Sequence, residues 1–332
     1  MPRAQRSLRL AMSFAFVLLC QLGPSALGAE TGDDRAPRLD AVVAVHTEIP
    51  AEARTASLLG TKRSGSGVVI DDSGLVVTVS YLITEAMAAD VTTAAGRVSR
   101  AEIIGFDTES GLGLLRAAEP LGVKPLAIGT ADGLAEKTPV VVAAHGGIEA
   151  AQPAVVVSRR PFAGSWEYLI EDAIFTAPPH PAWSGAALIA PDGKLAGVGS
   201  LIVADADRGS PGNMFVPIDH LEPVMGDLIA LGRPSSSRPW LGANLQNVNG
   251  RLTVGRVAPE GPADASGIRH GDRIVSIDGS EVHEPADLYR ALWGRGAAGV
   301  TVKLAVMRDG ERHEIAVRTV DRYRYLKLGT TY

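Results

Sequence analysis

GSGVVIDDSGLVVTV, residues 65–79, is the stretch on which the fold turns. Two short valine-rich runs, 67–70 and 75–79, flank Asp72-Ser73-Gly74. Runs of β-branched residues separated by a cluster of turn formers predict two strands joined by a hairpin. Working outward, the same texture recurs at 41–45, 112–115, 140–144 and 154–157. Pro191-Asp192-Gly193 separates two further runs, 186–190 and 195–198. Many short strands punctuated by turns predict a barrel or sandwich rather than a helical bundle. Composition points the same way: 5% aromatic and 21% charged residues, with 37 Gly and 21 Pro, suit a turn-rich β protein and not a disordered chain. The 332 residues suffice for two domains with a core each. The net charge of -5 and the absence of a basic stripe argue against a nucleic-acid partner.

Further along, the period changes. Leu221, Met225, Leu228 and Ile229 recur at helical spacing, and Gly232 follows as a stop. This helix is expected to close a first domain over 39–232. Residues 233–239 (RPSSSRP) then read as a linker. In the C-terminal part, Val300, Val302, Leu304 and Val306 alternate toward one face, Asp309-Gly310 makes a hairpin turn, and Ile315 and Val317 continue on the returning strand. Residues 284–293 read as a short helix with Pro285 near its start. The second domain is expected over 240–320, and the tail 321–332 carries no assignment. No internal sequence repeat is visible.

The N-terminus reads as an address. Arg3, Arg6 and Arg9 precede an apolar run at 10–19, Pro24 breaks it, and Ala26-Leu27-Gly28 offers small residues for cleavage. Residues 1–28 are therefore expected to be a signal peptide for export, to the periplasm or beyond, followed by a flexible lead-in at 29–38. The apolar run is about half of the ~20 residues that span a bilayer. Cys20, the only cysteine, lies inside this segment behind Leu19, which is too large for a lipid-attachment site. The mature chain is expected to have no disulfides.

The quoted stretch 65–78, together with Phe215-Val216-Pro217-Ile218, resembles the HtrA/Deg family of exported, trypsin-like serine proteases. Leu241-Gly242, Gly261-Pro262-Ala263, 271–275 (GDRIV) and Asp278-Gly279 resemble that family's PDZ domain. The resemblance covers almost the whole mature chain. It implies an all-β double barrel of the trypsin type followed by an α+β PDZ domain.

The same resemblance exposes what is missing. Hydrolysis by this fold needs a serine to attack, a histidine to take its proton and a carboxylate to orient the histidine. The family's histidine follows Thr-Asn-x at a strand end, and here Thr78-Val79-Ser80 leads to Tyr81. Its aspartate lies four residues after another aspartate, and here Asp107 leads to Gly111. The nucleophile motif Gly-Asn-Ser-Gly-Gly becomes Ala182-Trp183-Ser184-Gly185-Ala186, which leaves Ser184 as a remnant nucleophile. A tyrosine with a pKa of about 10 is a poor base near neutrality. Losing the base costs on the order of 10⁴–10⁶ in rate. Ala182 and Trp183 also disturb the loop that should supply oxyanion donors. His46, His145 and His180 read as surface or loop residues, and Lys137 and Lys194 as turn residues, rather than as replacement bases. No histidine pair has metal-ligand spacing, so neither metal nor cofactor is expected.

The peptide-binding logic of the PDZ domain reads as intact. Such domains add an extended peptide as a strand and hold its C-terminal carboxylate on backbone N–H groups. The resemblance places that loop at Trp240-Leu241-Gly242-Ala243 and the pairing strand from Asn244-Leu245-Gln246. Leu288 and Leu292, one helical turn apart, read either as groove lining or as core. The expected partners are C-terminal or unfolded peptides. The resemblance also implies assembly with itself or with related proteases, although 29–40 lacks the aromatic residues through which relatives often trimerise. The expectation is thus an exported protease homologue without activity that binds peptides. The alternatives are an endopeptidase using Ser184 with an atypical base, and a regulatory subunit among active relatives.

Overall fold

The computed structural model describes residues 38–326. The expected signal peptide, nearly all of the lead-in and the end of the tail lie outside the described residues. The quoted stretch forms β2 (Lys62–Val69) and β3 (Leu75–Val79), which with β1 (Val42–Glu48), β4 (Ala88–Thr92), β5 (Val98–Phe106) and β6 (Leu112–Ala117) close a six-stranded barrel in the order β1-β2-β3-β6-β5-β4. The turn between β2 and β3 is fixed by Asp71, whose Oδ1 accepts from Ser73 N and Leu75 N, each at 2.9 Å. Val42, Val43, Val45, Val68, Val76 and Val77 are all fully buried. Each such side chain contributes about 1.5–3 kcal/mol of gross stabilisation, and they explain why valine-rich runs become barrel walls. Two single-turn helices decorate this barrel, α1 (Ala56–Leu59) and α2 (Ser80–Ile83).

A second barrel follows: β7 (Pro139–Ala143), β8 (Ala151–Gly164), β9 (Tyr168–Ala177), β10 (Ala187–Ile189), β11 (Leu195–Asp207) and β12 (Ser210–Pro217), closed in the order β10-β11-β12-β9-β8-β7. Taken as cycles, the two orders are one topology used twice. The duplication left no visible sequence repeat because each barrel requires only buried β-formers at alternate positions, not particular ones. Helix α3 (Glu222–Leu231) ends at Gly232, whose φ of +74° is the left-handed cap that glycine adopts without strain. The Gly232 carbonyl accepts from Phe106 N at 3.2 Å and fastens the helix end to β5.

The C-terminal sheet runs β13-β14-β15-β17-β18, with β13 (Ala243–Val248), β14 (Arg251–Val257), β15 (Arg273–Ile277), β17 (Thr301–Arg308) and β18 (Glu311–Arg318), while β16 (Ser280–Glu281) pairs with β15. It is accompanied by α4 (Pro262–Ala265) and α5 (Pro285–Trp293). Helix α5 starts in a capping box, in which Glu284 and Asp287 exchange side-chain-to-backbone bonds.

Residues 233–239, expected as a linker, are tied at both ends. Arg233 pairs with Asp321 at 2.6 Å and Arg238 with Glu109 at 2.7 Å, while Ser235 N donates to Asp227 at 2.7 Å. Residues 321–326 are also structured: α6 (Arg322–Tyr325) buries Tyr323 in the core of the first barrel. Barrels and PDZ domain belong to one compact unit. Among the described residues, no helix is long and apolar enough to cross a membrane.

Candidate functional site

Ser184 sits on the turn before β10. Two glycines press that turn against β2. A Cβ on Gly185 would lie 1.8 Å from the Ser66 carbonyl oxygen, and one on Gly65 would lie 2.8 Å from Ser184 O and Oγ. Ser66 N donates to Ser184 O at 2.8 Å, which completes the junction between the barrels. The nucleophile's place is thus kept to atomic tolerance.

Its partners are different from those of a triad. Tyr81, on α2, brings its Oη to 2.8 Å from Ser184 Oγ and 3.0 Å from the Ser200 carbonyl oxygen. The carbonyl can only accept. All three groups are satisfied when the phenol donates to Ser200 and the Ser184 hydroxyl donates to Tyr81. Burial pushes the Tyr81 phenol above its ordinary pKa, the bond from Ser184 opposing it only in part. This makes the phenolate still less accessible near neutrality.

Gly111 has a φ of +76°, and its place beside the site is occupied by another ring. A Cβ on Gly111 would meet Tyr168 Cε2 at 2.9 Å and Oη at 3.0 Å. Tyr168, the first residue of β9, donates its hydroxyl to Ser110 O at 2.9 Å and stacks on Trp166 with ring centroids 5.5 Å apart. Burial raises its phenol strongly.

Oxyanion donors in this geometry are the amides of the nucleophile and of the residue two before it. Here Ala182 N is already engaged by His180 Nδ1 at 3.1 Å. His180 is buried, and that burial lowers its pKa. It is locked through its backbone to Asn213, with His180 N donating at 2.6 Å. Ala182 is not among the residues with positive φ. His46 bonds Ser64 Oγ on the surface, and His145 N donates to Ser66 Oγ at 3.0 Å. The side-chain hydrogen bond of Ser184 is with Tyr81, not with any of these histidines. Lys137 and Lys194 lie in turns, the latter paired with Asp192. Among the described residues no cluster of His, Cys, Asp or Glu could hold a metal ion.

A cleft of about 500 Å³ opens beside Tyr81, Tyr168 and Trp183 and is lined also by Asn244, Arg322 and Leu326. Ser165 and Trp166 of the β8–β9 hairpin tip, 165–167, also line it, and the tip reaches the PDZ loop. Leu241 N donates to Glu167 Oε2 at 2.8 Å, and Gly242 N and Ala243 N donate to Oε1 at 2.6 and 3.0 Å. Leu245 N donates to Ser165 O at 2.7 Å. Tyr289 on α5 accepts from Glu167 N at 3.1 Å and donates to Gly164 O at 2.8 Å. Glu167 is buried, with a φ of +57°. Burial outweighs the three N–H donors and pushes its carboxyl up to about 7.

The amides of the loop at 240–243 thus meet the carboxyl group of Glu167 from the same chain. Trp240 lies against Tyr325, with ring centroids 4.5 Å apart. Gly242 has a φ of +79°. Leu288 and Leu292 are fully buried in one cluster with Leu241, Leu245 and the hairpin's Leu169. Sequence reasoning singled out Tyr81 and Gly111, which line the cleft, Ser184, which Tyr81 touches, and the PDZ loop. It missed Tyr168, Ser200, Glu167, Tyr289 and Arg322. The one available signal was an acid at a hairpin tip between aromatic residues, Trp166-Glu167-Tyr168.

Residues 65–198 match the family model of the trypsin-like peptidase domain, and 239–319 match that of the PDZ domain. The chain is 28% identical to Protease Do-like 1, chloroplastic, of Arabidopsis thaliana over 76% of its length and 63% of the relative's. It is 27% identical to a "Probable periplasmic serine endoprotease DegP-like" of Halomonas elongata, with 77% of this chain and 56% of the relative aligned. The chain thus spans little more than half of that curated relative. The fold matches the HtrA-type protease AlgW with decapeptide (TM-score 0.53, 20% identity, 87% of this chain and 97% of that one). It also matches a serine endoprotease from Yersinia pestis (TM-score 0.52, 22% identity, 86% and 95%). With two barrels of one topology, a serine held at their junction and a PDZ module behind them, the chain belongs to the HtrA/Deg family.

Proposed function

We propose that this chain is a non-hydrolytic HtrA/Deg protein of an exported compartment, which binds peptide segments of other proteins instead of cleaving them. The observation that carries this reading is the phenol of Tyr81 on Ser184 Oγ at 2.8 Å, where a base belongs. A neutral phenol accepts the serine's hydrogen bond but not its proton, so the attacking alkoxide has no route to form. The ring of Tyr168 beside Gly111 and the engaged amide of Ala182 support the same conclusion from the orienter and oxyanion sides. A PDZ loop whose N–H groups converge on a carboxylate supports peptide binding. The name of the Halomonas relative, a periplasmic enzyme, supports export.

The test is direct. Purified protein, incubated with unfolded casein, is expected to give no cleavage above that of Ser184→Ala. A serine-directed phosphonate is expected to leave Ser184 unlabelled. Casein cleavage that disappears in Ser184→Ala would overturn the reading and identify an endopeptidase with an atypical base.

A further inference from the structure

We propose that the tip of the β8–β9 hairpin is a built-in ligand of the PDZ domain, with the Glu167 side chain in the place of a peptide's C-terminal carboxylate, so that a peptide binds only by displacing it. The inference deepens the peptide-binding reading above and rests on that reading for the identity of the loop.

A C-terminal peptide brings three things to such a site: an anionic carboxylate for the loop amides, an extended backbone for the open strand edge, and apolar side chains for the groove. The hairpin brings all three. Both Glu167 oxygens receive N–H groups, from Leu241, Gly242 and Ala243, at 2.6–3.0 Å. The backbone contribution is Ser165 O, which accepts from Leu245 N at 2.7 Å on β13, the strand a peptide would extend. The apolar contribution is Leu169, 6% exposed, which joins the buried cluster of Leu241, Leu245, Leu288 and Leu292.

The hairpin is also held from behind. Tyr289 on α5 spans its two sides, donating to Gly164 O and accepting from Glu167 N. Arg322 Nη1 donates to Trp166 O at 3.2 Å. Together with the loop amides, these bonds tie the tip to three separate segments: the loop, α5 and α6. Gly242 allows the close approach. Its φ of +79° turns its amide toward the carboxylate, and its missing Cβ would meet the Trp240 ring at 3.1 Å.

An occupied site reduces apparent affinity by the fraction of molecules in which it is open. Glu167→Gln keeps the shape of the side chain and removes the charge and one acceptor. Glu167→Ala removes the carboxylate altogether. The probes are fluorescein-labelled heptapeptides ending in Val, Leu or Phe, each with a free carboxylate and as the amide, titrated against the full chain. The variants are expected to bind the free-carboxylate peptides at least tenfold more tightly than the unaltered protein, with little binding of the amides. Tyr289→Phe, which loosens the hairpin without touching the loop, is expected to give a smaller gain in the same direction. Equal affinity in the unaltered protein and both Glu167 variants would overturn the proposal.

A second measurement needs no peptide. In ¹⁵N-labelled protein at about pH 8.5, where the Glu167 carboxyl is ionised, the amide resonances of Leu241, Gly242 and Ala243 are expected to move strongly upfield in Glu167→Gln, as charge-assisted bonds to the carboxylate are lost. Unmoved resonances would equally overturn the proposal. If the resonances move and no peptide binds any variant, the internal ligand stands and the peptide-binding reading is the one that fails.

Discussion

At Gly111 the site's history and its chemistry meet. The family resemblance implies a carboxylate at the place of Gly111, and on that basis alone a repair would pair Tyr81→His with Gly111→Asp. The structure sets a further obstacle. An aspartate Cβ would lie 2.9 Å from the Tyr168 ring and would sit at a φ of +76°. Backbone strain and overpacking together cost about 2–4 kcal/mol. The double variant is therefore expected to be destabilised by about that amount in urea unfolding, and to hydrolyse no fluorogenic peptide. Activity is expected only when Tyr168 is also reduced to a small residue and the loop is returned to glycine and asparagine at Ala182 and Trp183. Hydrolysis by the double variant at rates like those of an active relative would show that the tyrosine ring yields freely and that this account of the loop is wrong. Tyr81 and Gly111 were legible because they fall at fixed offsets inside strand-end motifs. Tyr168 was not, since it comes from the other barrel and nothing near position 111 announces a ring arriving from β9. The same holds for the amide of Ala182. Its residue type was readable, whereas the histidine that takes its hydrogen bond is a matter of loop conformation.

Among elements, the β8–β9 hairpin carries the most unexpected content. Most strands were readable from valine-rich runs. In β8 and β9, charged and aromatic residues interrupt the alternation (158–168, SRRPFAGSWEY), and the sequence reading passed over them. Their length is explained by what they reach, and reach is a tertiary property. The docked tip has a consequence for pH. Facing the Glu167 carboxyl are the amides of Leu241, Gly242 and Ala243 from the PDZ loop, the Tyr289 phenol from α5 and the Arg322 guanidinium from α6. Burial holds the carboxyl at about 7 in the folded protein, against about 4.3 when unfolded. Across that window the folded state binds more protons than the unfolded state, so stability falls as pH rises, and levels off above 7. The full effect is on the order of 3 kcal/mol. Glu167→Gln has no such slope. The difference in unfolding free energy between the unaltered protein and Glu167→Gln is expected to shift against the unaltered protein between pH 4.5 and 7.5. Urea unfolding across that range checks this, and a constant difference would mean that the carboxyl stays in contact with water.

In the whole molecule, the linker is tied down and the described part of the tail, residues 321–326, forms a strap. Helix α6 has four residues, too few to hold a helix by propensity. Its order comes from what it touches. Tyr323, 3% exposed, packs on Phe106 of the first barrel with ring centroids 5.8 Å apart. Its hydroxyl accepts from Thr108 N at 2.9 Å and donates to Phe106 O at 3.2 Å. Arg322 holds the hairpin tip of the second barrel, and Tyr325 donates to Pro259 O at 3.0 Å and packs on Trp240 of the PDZ loop. One turn of helix therefore joins both barrels to the PDZ domain. Removing the Tyr323 ring deletes a buried aromatic and leaves the Thr108 amide without its acceptor. Tyr323→Ala is expected to lower the unfolding free energy by about 3–5 kcal/mol. Tyr323→Phe, which loses only the hydroxyl, is expected to cost about 1–2 kcal/mol. The strap also steadies the docked hairpin, so Tyr323→Ala is expected to speed hydrogen exchange at the amides of Leu241, Gly242 and Ala243, far from the substitution. Exchange followed by mass spectrometry on the folded protein reads this separately from global stability, since amides of the first-barrel core report unfolding of the whole. A loss below about 1 kcal/mol with unchanged exchange at the loop would mean that α6 lies on the molecule without coupling its parts.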